Sequence, residues 1–234
     1  MRSSGALLLA LDTSTRTVGL ALYDGRQVLS EAAWTSSDYH TVELAPAIAD
    51  AFAKTGQDAA SLGALAVAIG PGSFTVLRVG LALAKCLAMA RKLPLIGVPT
   101  LDALAAAQPR PAGLGLPEDA RLAAVLRAGR GRLAVSWYAW TPSGWQSSAE
   151  IKVYTPAELV RAVGGPTLVC GELSEEERDL LQRTPQVTLA GPAASLRRPA
   201  YLAELGWKRW KSGQVDPPAG LAPIYLHYND PIPA

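Results

Sequence analysis

The sequence predicts an α/β protein built from two successive β-β-β-α-β-α units, on three observations. Short apolar runs bounded by turn residues alternate with segments of helical period. Two three-strand openings, one from Leu7 and one from Arg121, each lead into a helix. A breaker-rich stretch, Pro109, Pro111, Gly113, Gly115 and Pro117, separates them. The 234 residues, 49% hydrophobic and 18% charged, have a globular balance that excludes disorder, collagen and low complexity.

In the first unit, residues 7–11 form an apolar run that stops at Asp12-Thr13-Ser14-Thr15. Residues 18–23 end at Asp24-Gly25, a strong hairpin signal, so these two strands pair and residues 27–35 continue as a third. Residues 41–54 place Leu44, Ala45, Ile48, Ala49 and Phe52 on one helical face, with Gly56 as the stop and Pro46 predicting a kink or a late start. Residues 65–69 read as a buried strand, Gly70-Pro71-Gly72 as a tight turn, Ser73 as an N-cap and residues 74–92 as a long helix. Residues 95–98 are another strand, and Thr100-Leu101-Asp102-Ala103 opens another helix.

Beyond the linker the pattern restarts with strands at 121–126, 133–140 and 145–154, joined by turns over 129–131 and 141–144. Thr155-Pro156-Ala157-Glu158 combines an N-cap, a proline at the first helical position and a capping-box glutamate. Residues 167–170 and 187–189 are strands, and 196–211 form a final helix. Such a duplication describes the lobes of the actin and hexokinase superfamily, each ribonuclease H-like. The expected domains are 1–108, carrying the partner-binding helices, and 109–234, whose final helix packs back on the first lobe.

Charge gives little direction: 22 Lys+Arg against 20 Asp+Glu, divided so that each half carries one excess positive charge, marks no polyanion-binding tail. The opening Met1-Arg2-Ser3-Ser4-Gly5 resembles a signal n-region, but the apolar run after it ends at Asp12, and no run is long enough to span a membrane, so a cytoplasmic chain is expected. Cys86 and Cys170 sit in apolar surroundings and read as small hydrophobes. With His40 and His227 the only histidines and no His-Glu-x-x-His or Cys-x-x-Cys spacing, a zinc site lacks ligands, which disfavours a metallopeptidase.

Asp12, Thr13 and Ser14 place a carboxylate and hydroxyls in one strand-to-strand turn, which suits weak contact with Mg²⁺ or phosphate and equally suits a turn that satisfies its own amides. The corresponding turn of the second unit, Arg127-Ala128-Gly129-Arg130-Gly131-Arg132, has no acid, so a paired-carboxylate clamp for Mg-ATP cannot be assembled, although its arginines could touch a phosphate. The motif Gly70-Pro71-Gly72-Ser73-Phe74-Thr75 either offers helix N-terminal amides to an anion or is simply a tight turn. No histidine adjoins Ser73, and the glycine spacing is not a nucleophile elbow.

In the helix 74–92, Arg78, Lys85 and Lys92 recur every seven residues as one narrow stripe, and the other faces are mainly small or apolar, so one sheet cannot cover it. Glu43 and Asp50 form an acidic stripe on the preceding helix. Either these stripes pair within the chain or the helices meet another subunit through Glu43, Asp50, Arg78, Leu81, Ala82, Lys85 and Met89. Gly80, Ala82, Ala84 and Ala88 keep the helix slim, as close approach by a second helix requires. In the last helix Arg197, Arg198, Lys208, Arg209 and Lys211, with Trp207 and Trp210, form either an RNA-facing patch or a solvated face.

Leu8-Leu9-Ala10-Leu11-Asp12-Thr13-Ser14-Thr15, His40 with Leu44 and Pro46, residues 70–80, Ile96-Gly97-Val98-Pro99-Thr100-Leu101 and Pro223-Ile224-Tyr225-Leu226 together resemble the TsaB family. That resemblance implies a non-catalytic partner subunit in the synthesis of threonylcarbamoyladenosine in tRNA, acting by dimerising with a catalytic TsaD-like protein. It further implies a TsaE-like ATPase in the same system, a homodimer when the chain is alone, and tRNA met only through the complex. No catalytic residue, metal or firm cofactor follows; the cofactor candidate is weakly held ATP or ADP at the lobe or subunit interface. The sequence departs from the family at Val76, usually Gly, and at Arg127, where an Asp-Ala-Arg stretch usually begins. The alternative reading is an ATP-dependent small-molecule kinase using Asp12.

Overall fold

The structure, a computed structural model, describes residues 6–36 and 40–226, excepting the side chains of His40 and Thr41. Met1 to Gly5 and His227 lie outside the described residues. The chain divides into two units, one formed by residues 1–107 with 197–224 and the other by residues 108–196 with 225–234.

The first unit is a five-stranded sheet of β1 (Leu7–Asp12), β2 (Thr17–Tyr23), β3 (Val28–Thr35), β4 (Leu62–Ala68) and β5 (Leu95–Val98), in the order β3-β2-β1-β4-β5. β1 runs antiparallel to β2 and parallel to β4, which explains why its residues Leu7 to Asp12 are buried on both faces. Leu9, Leu11, Leu20, Leu22, Leu65 and Val67 pack under α1 (His40–Thr55) and α2 (Phe74–Arg91). Leu8, Ala10, Ala64, Ala66 and Ile96 face α3 (Thr100–Ala106) and the last helix, Pro199–Lys211. The small residues on that side let the last helix lie close: a Cβ at Gly206 would sit against that of Ala66.

In the second unit the strands are β6 (Arg121–Arg127), β7 (Leu133–Thr141), β8 (Gly144–Ser147), β9 (Lys152–Tyr154), β10 (Thr167–Gly171) and β11 (Val187–Leu189). Their helices are α4 (Pro156–Ala162) and α5 (Glu175–Gln182), and the helix Pro199–Lys211 becomes α6. Their order, β11-β10-β6-β7-β8 with β9 also on β7, repeats that of the first sheet strand for strand. The duplicated β-β-β-α-β-α arrangement therefore holds in each unit.

Several elements differ from expectation for local reasons. α1 continues through the exposed Pro46, and Ala45 and Ala49, expected on its buried face, are exposed, while Leu44, Ala51 and Phe52 are buried. The strand expected over 145–154 is two: β8 pairs with Tyr138 to Thr141, β9 with Leu133 to Val135, and the Ser148 N–H donates to the Trp137 carbonyl between them. α5 has no counterpart among the expected elements, although Ser174 and Glu177 form a reciprocal capping box like that of Thr155 and Glu158. The final helix begins at Pro199 rather than 196, and it packs in the unit of β1 and β2, so the chain passes between units at 107/108 and again at 196/197. Among the described residues no helix is long and apolar enough to cross a membrane.

Candidate functional site

The turn after β1 is closed from within. Asp12 is 3% exposed; its Oδ1 accepts the Ser14 N–H at 2.8 Å, and its Oδ2 meets Arg197 Nε at 2.9 Å. Arg197 Nη2 also donates to Thr15 Oγ1 and to the Thr17 carbonyl. Thr13 Oγ1 accepts the Gly80 N–H, and Ser14 Oγ shares a 2.7 Å hydrogen bond with Thr100 Oγ1. The oxygens of Asp12, Thr13 and Ser14 are thus engaged in joining the β1–β2 turn to α2, α3 and residue 197, the turn-satisfying arrangement weighed above. Arg197, grouped by sequence with an exposed basic helix face, is a buried anchor at 3% exposure.

The turn Gly70-Pro71-Gly72 fits beside it. Its Gly70–Pro71 bond is cis, the Gly70 N–H donates to Thr100 Oγ1, and the Ser73 N–H donates to the Ser14 carbonyl at 2.7 Å. A Cβ on Gly72 would overlap that carbonyl, so glycine is required by close backbone approach. Ser73 holds the N-cap position, but its hydroxyl makes no capping bond. Ser73, Phe74 and Thr75 are exposed, and Val76 is half-buried behind them.

α2 divides into two faces. Leu77, Gly80, Leu81, Ala84 and Ala88 are buried against the sheet. Leu81, expected at a subunit interface, is therefore core. The slimness of Gly80, Ala84 and Ala88 serves helix–sheet packing instead, since a Cβ at Gly80 would strike Thr13. Outward lie Phe74, 53% exposed, with Arg78 stacked 3.6 Å above its ring centroid, then Ala82, Cys86 and Met89, 69% exposed. Lys85 is half-buried. Cys86, read as a packed hydrophobe, is at the surface because it falls on this row.

On α1 the outer row is Val42, 63% exposed, with Ala45, Ala49 and Ala53, so two alanines expected on the core face lie on the outer one. Its acids have partners nearby: Asp50 bridges to Lys54 at 2.6 Å, and Glu43 accepts from Trp34 Nε1 at 2.9 Å. They border a groove of about 430 Å³ between β3 and α1, lined by Glu31, Trp34, Glu43, Ala47, Asp50 and Lys54. α1 and α2 together present exposed apolar side chains rimmed by both charge signs, a composition suited to protein contact.

The remaining candidates are dispersed. Arg198 pairs with Glu31 at 2.5 Å, Arg209 donates to the Gly97 carbonyl, and Lys211 stacks 3.8 Å from the Trp210 ring, leaving few of the basic groups near α6 uncommitted. Cys170 is fully buried, and burial pushes its thiol pKa up, so it stays protonated and inert. Among the described residues no three His, Cys, Asp or Glu side chains come together as a metal-binding group.

Comparison with known proteins places this geometry. Residues 28–195 match the family model described as TsaD: tRNA N6-adenosine threonylcarbamoyltransferase. The chain is similar to the tRNA threonylcarbamoyladenosine biosynthesis protein TsaB of Bacillus subtilis, 28% identical over 94% of this chain and 93% of that protein. It is also similar to TsaB of Escherichia coli K12, 36% identical over a segment covering 42% of each chain. In three dimensions it resembles YeaZ from Pseudomonas aeruginosa, with a TM-score of 0.77 and 24% identity over 94% of this chain and all of that one. The likeness shows that the two chains share one fold, a mixed α/β fold of two sheets.

Proposed function

The chain belongs to the family of the tRNA N6-adenosine threonylcarbamoyltransferase TsaD, and within it to the TsaB/YeaZ proteins, and from this premise we propose that it is the non-catalytic subunit that joins a TsaD-like protein in making threonylcarbamoyladenosine in tRNA. The observation that carries the subunit role is the outer face of α1 and α2. Val42, Phe74 and Met89, each more than half exposed, lie there with Ala82 and are rimmed by Asp50 and Arg78. Burying such a row against a second helical pair removes apolar area from water at roughly 25 cal/mol per Å². When the TsaD-like partner is missing, the same face pairs two copies of the chain. A TsaE-like ATPase acts on the assembled pair, and tRNA is reached through that assembly.

The kinase alternative needs Asp12 as an open carboxylate, whereas here Asp12 is buried and paired with Arg197. Co-purification of the chain with the TsaD-like protein of the same organism, followed by a tRNA modification assay with and without it, tests the proposal. A stable complex and modification that depends on this chain are expected. Modification that proceeds equally without it would sink the role.

A further inference from the structure

The turn between β6 and β7 carries three arginines in six residues, Arg127, Arg130 and Arg132, and no carboxylate. It is a built feature: the Ala128 N–H donates to the Arg132 carbonyl at 2.8 Å, the Arg132 N–H to the Gly129 carbonyl at 3.0 Å, and Gly129, Arg130 and Gly131 are all left-handed, with φ of 77°, 51° and 67°. A non-glycine residue held at positive φ is uncommon, and here it sits at the tip between two glycines that accept that conformation freely. Arg127 and Arg130 are exposed.

The basic character extends beyond the tip. Arg132 and Arg161 of α4 both act on Glu158, adding to the hydrogen bonds from Thr155 that hold its carboxyl below the ordinary range, so both guanidinium groups lie near one carboxylate. Lys152, exposed on β9, stands opposite Val135 two residues into β7. Of the acids on neighbouring elements, Glu158 has its Oε2 taken by the Thr155 N–H and hydroxyl, and Glu172 is joined through its backbone N–H to the Val125 carbonyl of β6.

We infer that the Arg127–Arg132 hairpin is a contact for the phosphodiester backbone of RNA. Arg127 and Arg130 stand exposed three positions apart on this turn, so a polynucleotide passing it presents successive phosphates to successive guanidinium groups. The inference rests on the proposed role in tRNA modification and adds to it: the subunit would touch the substrate RNA itself, through its second unit, rather than only through its partner.

The test uses the full chain, alone and in complex with the TsaD-like protein, with Arg127→Gln/Arg130→Gln against the wild type and Arg26→Gln, at the exposed Arg26 beside the Asp24-Gly25 turn of the other unit, as a single-charge control. Affinity for unmodified tRNA is measured by fluorescence anisotropy between about 50 and 200 mM salt. The double variant should bind about tenfold more weakly at the low-salt end, with a salt slope shallower by about 1 to 2, while the control and the assembly with the partner are unchanged. Failure of the complex to form would count against the proposed function, yet the chain-alone comparison would still decide the hairpin. Wild-type tRNA affinity in the double variant would overturn the inference, as would absence of tRNA binding by both species. So would a loss confined to ATP or ADP binding, or to partner binding, which would make the turn a nucleotide or protein contact.

Discussion

Asp12→Asn should destabilise the first unit far more than an exposed ion pair would. The Arg197 side chain is 2% exposed and that of Asp12 5% exposed. Asparagine keeps an acceptor oxygen but not the charge, so the guanidinium is left out of water beside neutral acceptors, the Thr15 hydroxyl and the Thr17 carbonyl among them. Breaking one side of a buried pair costs about 3–5 kcal/mol. At roughly 2–4 °C per kcal/mol for a chain of this size, the melting temperature should fall by about 6–20 °C. Arg197→Met should cost a similar amount, because it strands the carboxylate with the Ser14 N–H at 2.8 Å. The double variant should be far less damaged than the sum, since replacing both members of a buried pair is often close to neutral. Thermal and urea unfolding followed by circular dichroism and tryptophan fluorescence supply the four corners of the cycle. Single variants that each lose less than about 1 kcal/mol, with additive effects, would refute the view that this pair fixes the return of the chain to the first sheet.

Ala82→Trp places bulk on the exposed row of α2 and should leave the spectrum and melting of the isolated chain within about 1 °C, as surface substitutions do; it should shift the light-scattering mass from two chains to one and abolish capture of the TsaD-like partner. Loss of folding would instead make position 82 part of the core. A maleimide at pH 7 to 8 should label one cysteine in the native chain, Cys86, and two after denaturation, because burial keeps Cys170 protonated. Addition of the partner should slow that single labelling. The Glu158 carboxyl is held below its ordinary range, first by the backbone and then by the side-chain hydrogen bond from Thr155. The capping box of α4 is therefore fully present above the unfolded pKa and is lost as pH falls through the lower folded value. The Thr155 amide proton should stay protected from exchange through pH 4.5, and Glu158→Ala should remove that protection at every pH.

Where local chemistry decides an element, the sequence was readable. Asp24-Gly25 closes its hairpin with Asp24 Oδ1 accepting the Arg26 and Gln27 N–H groups, and Thr155 with Glu158 starts α4 as the capping-box pattern requires. The same pattern stands at Ser174, but the eight helical residues after it carry only two apolar side chains, Leu180 and Leu181, too few to read as a core-facing stripe. Small residues were ambiguous for a physical reason: glycine and alanine permit close approach by any neighbour, so Gly80, Ala84 and Ala88 could not tell a sheet from a partner helix. The Asp12–Arg197 pair joins residues 185 positions apart, and no local spacing carries that information. It turned a candidate phosphate ligand and a candidate RNA contact into each other's partner.

The return of residues 197–224 to the first sheet has a temporal side. Until α6 has left the ribosome, Leu8, Ala10, Ala64, Ala66 and Ala68 have no Leu202 or Ala203 to cover them, and Asp12 lacks Arg197. At a synthesis rate of about 5–20 residues per second, the interval between completing Ala107 and completing Ile224 is roughly 6 to 23 seconds. The strands and helices of the second unit, all between Gln108 and Leu196, are complete within that interval. The half of the molecule that emerges first is thus the one that finishes folding last, and for those seconds its apolar sheet face is what a chaperone, or a second nascent copy on the same messenger, would encounter.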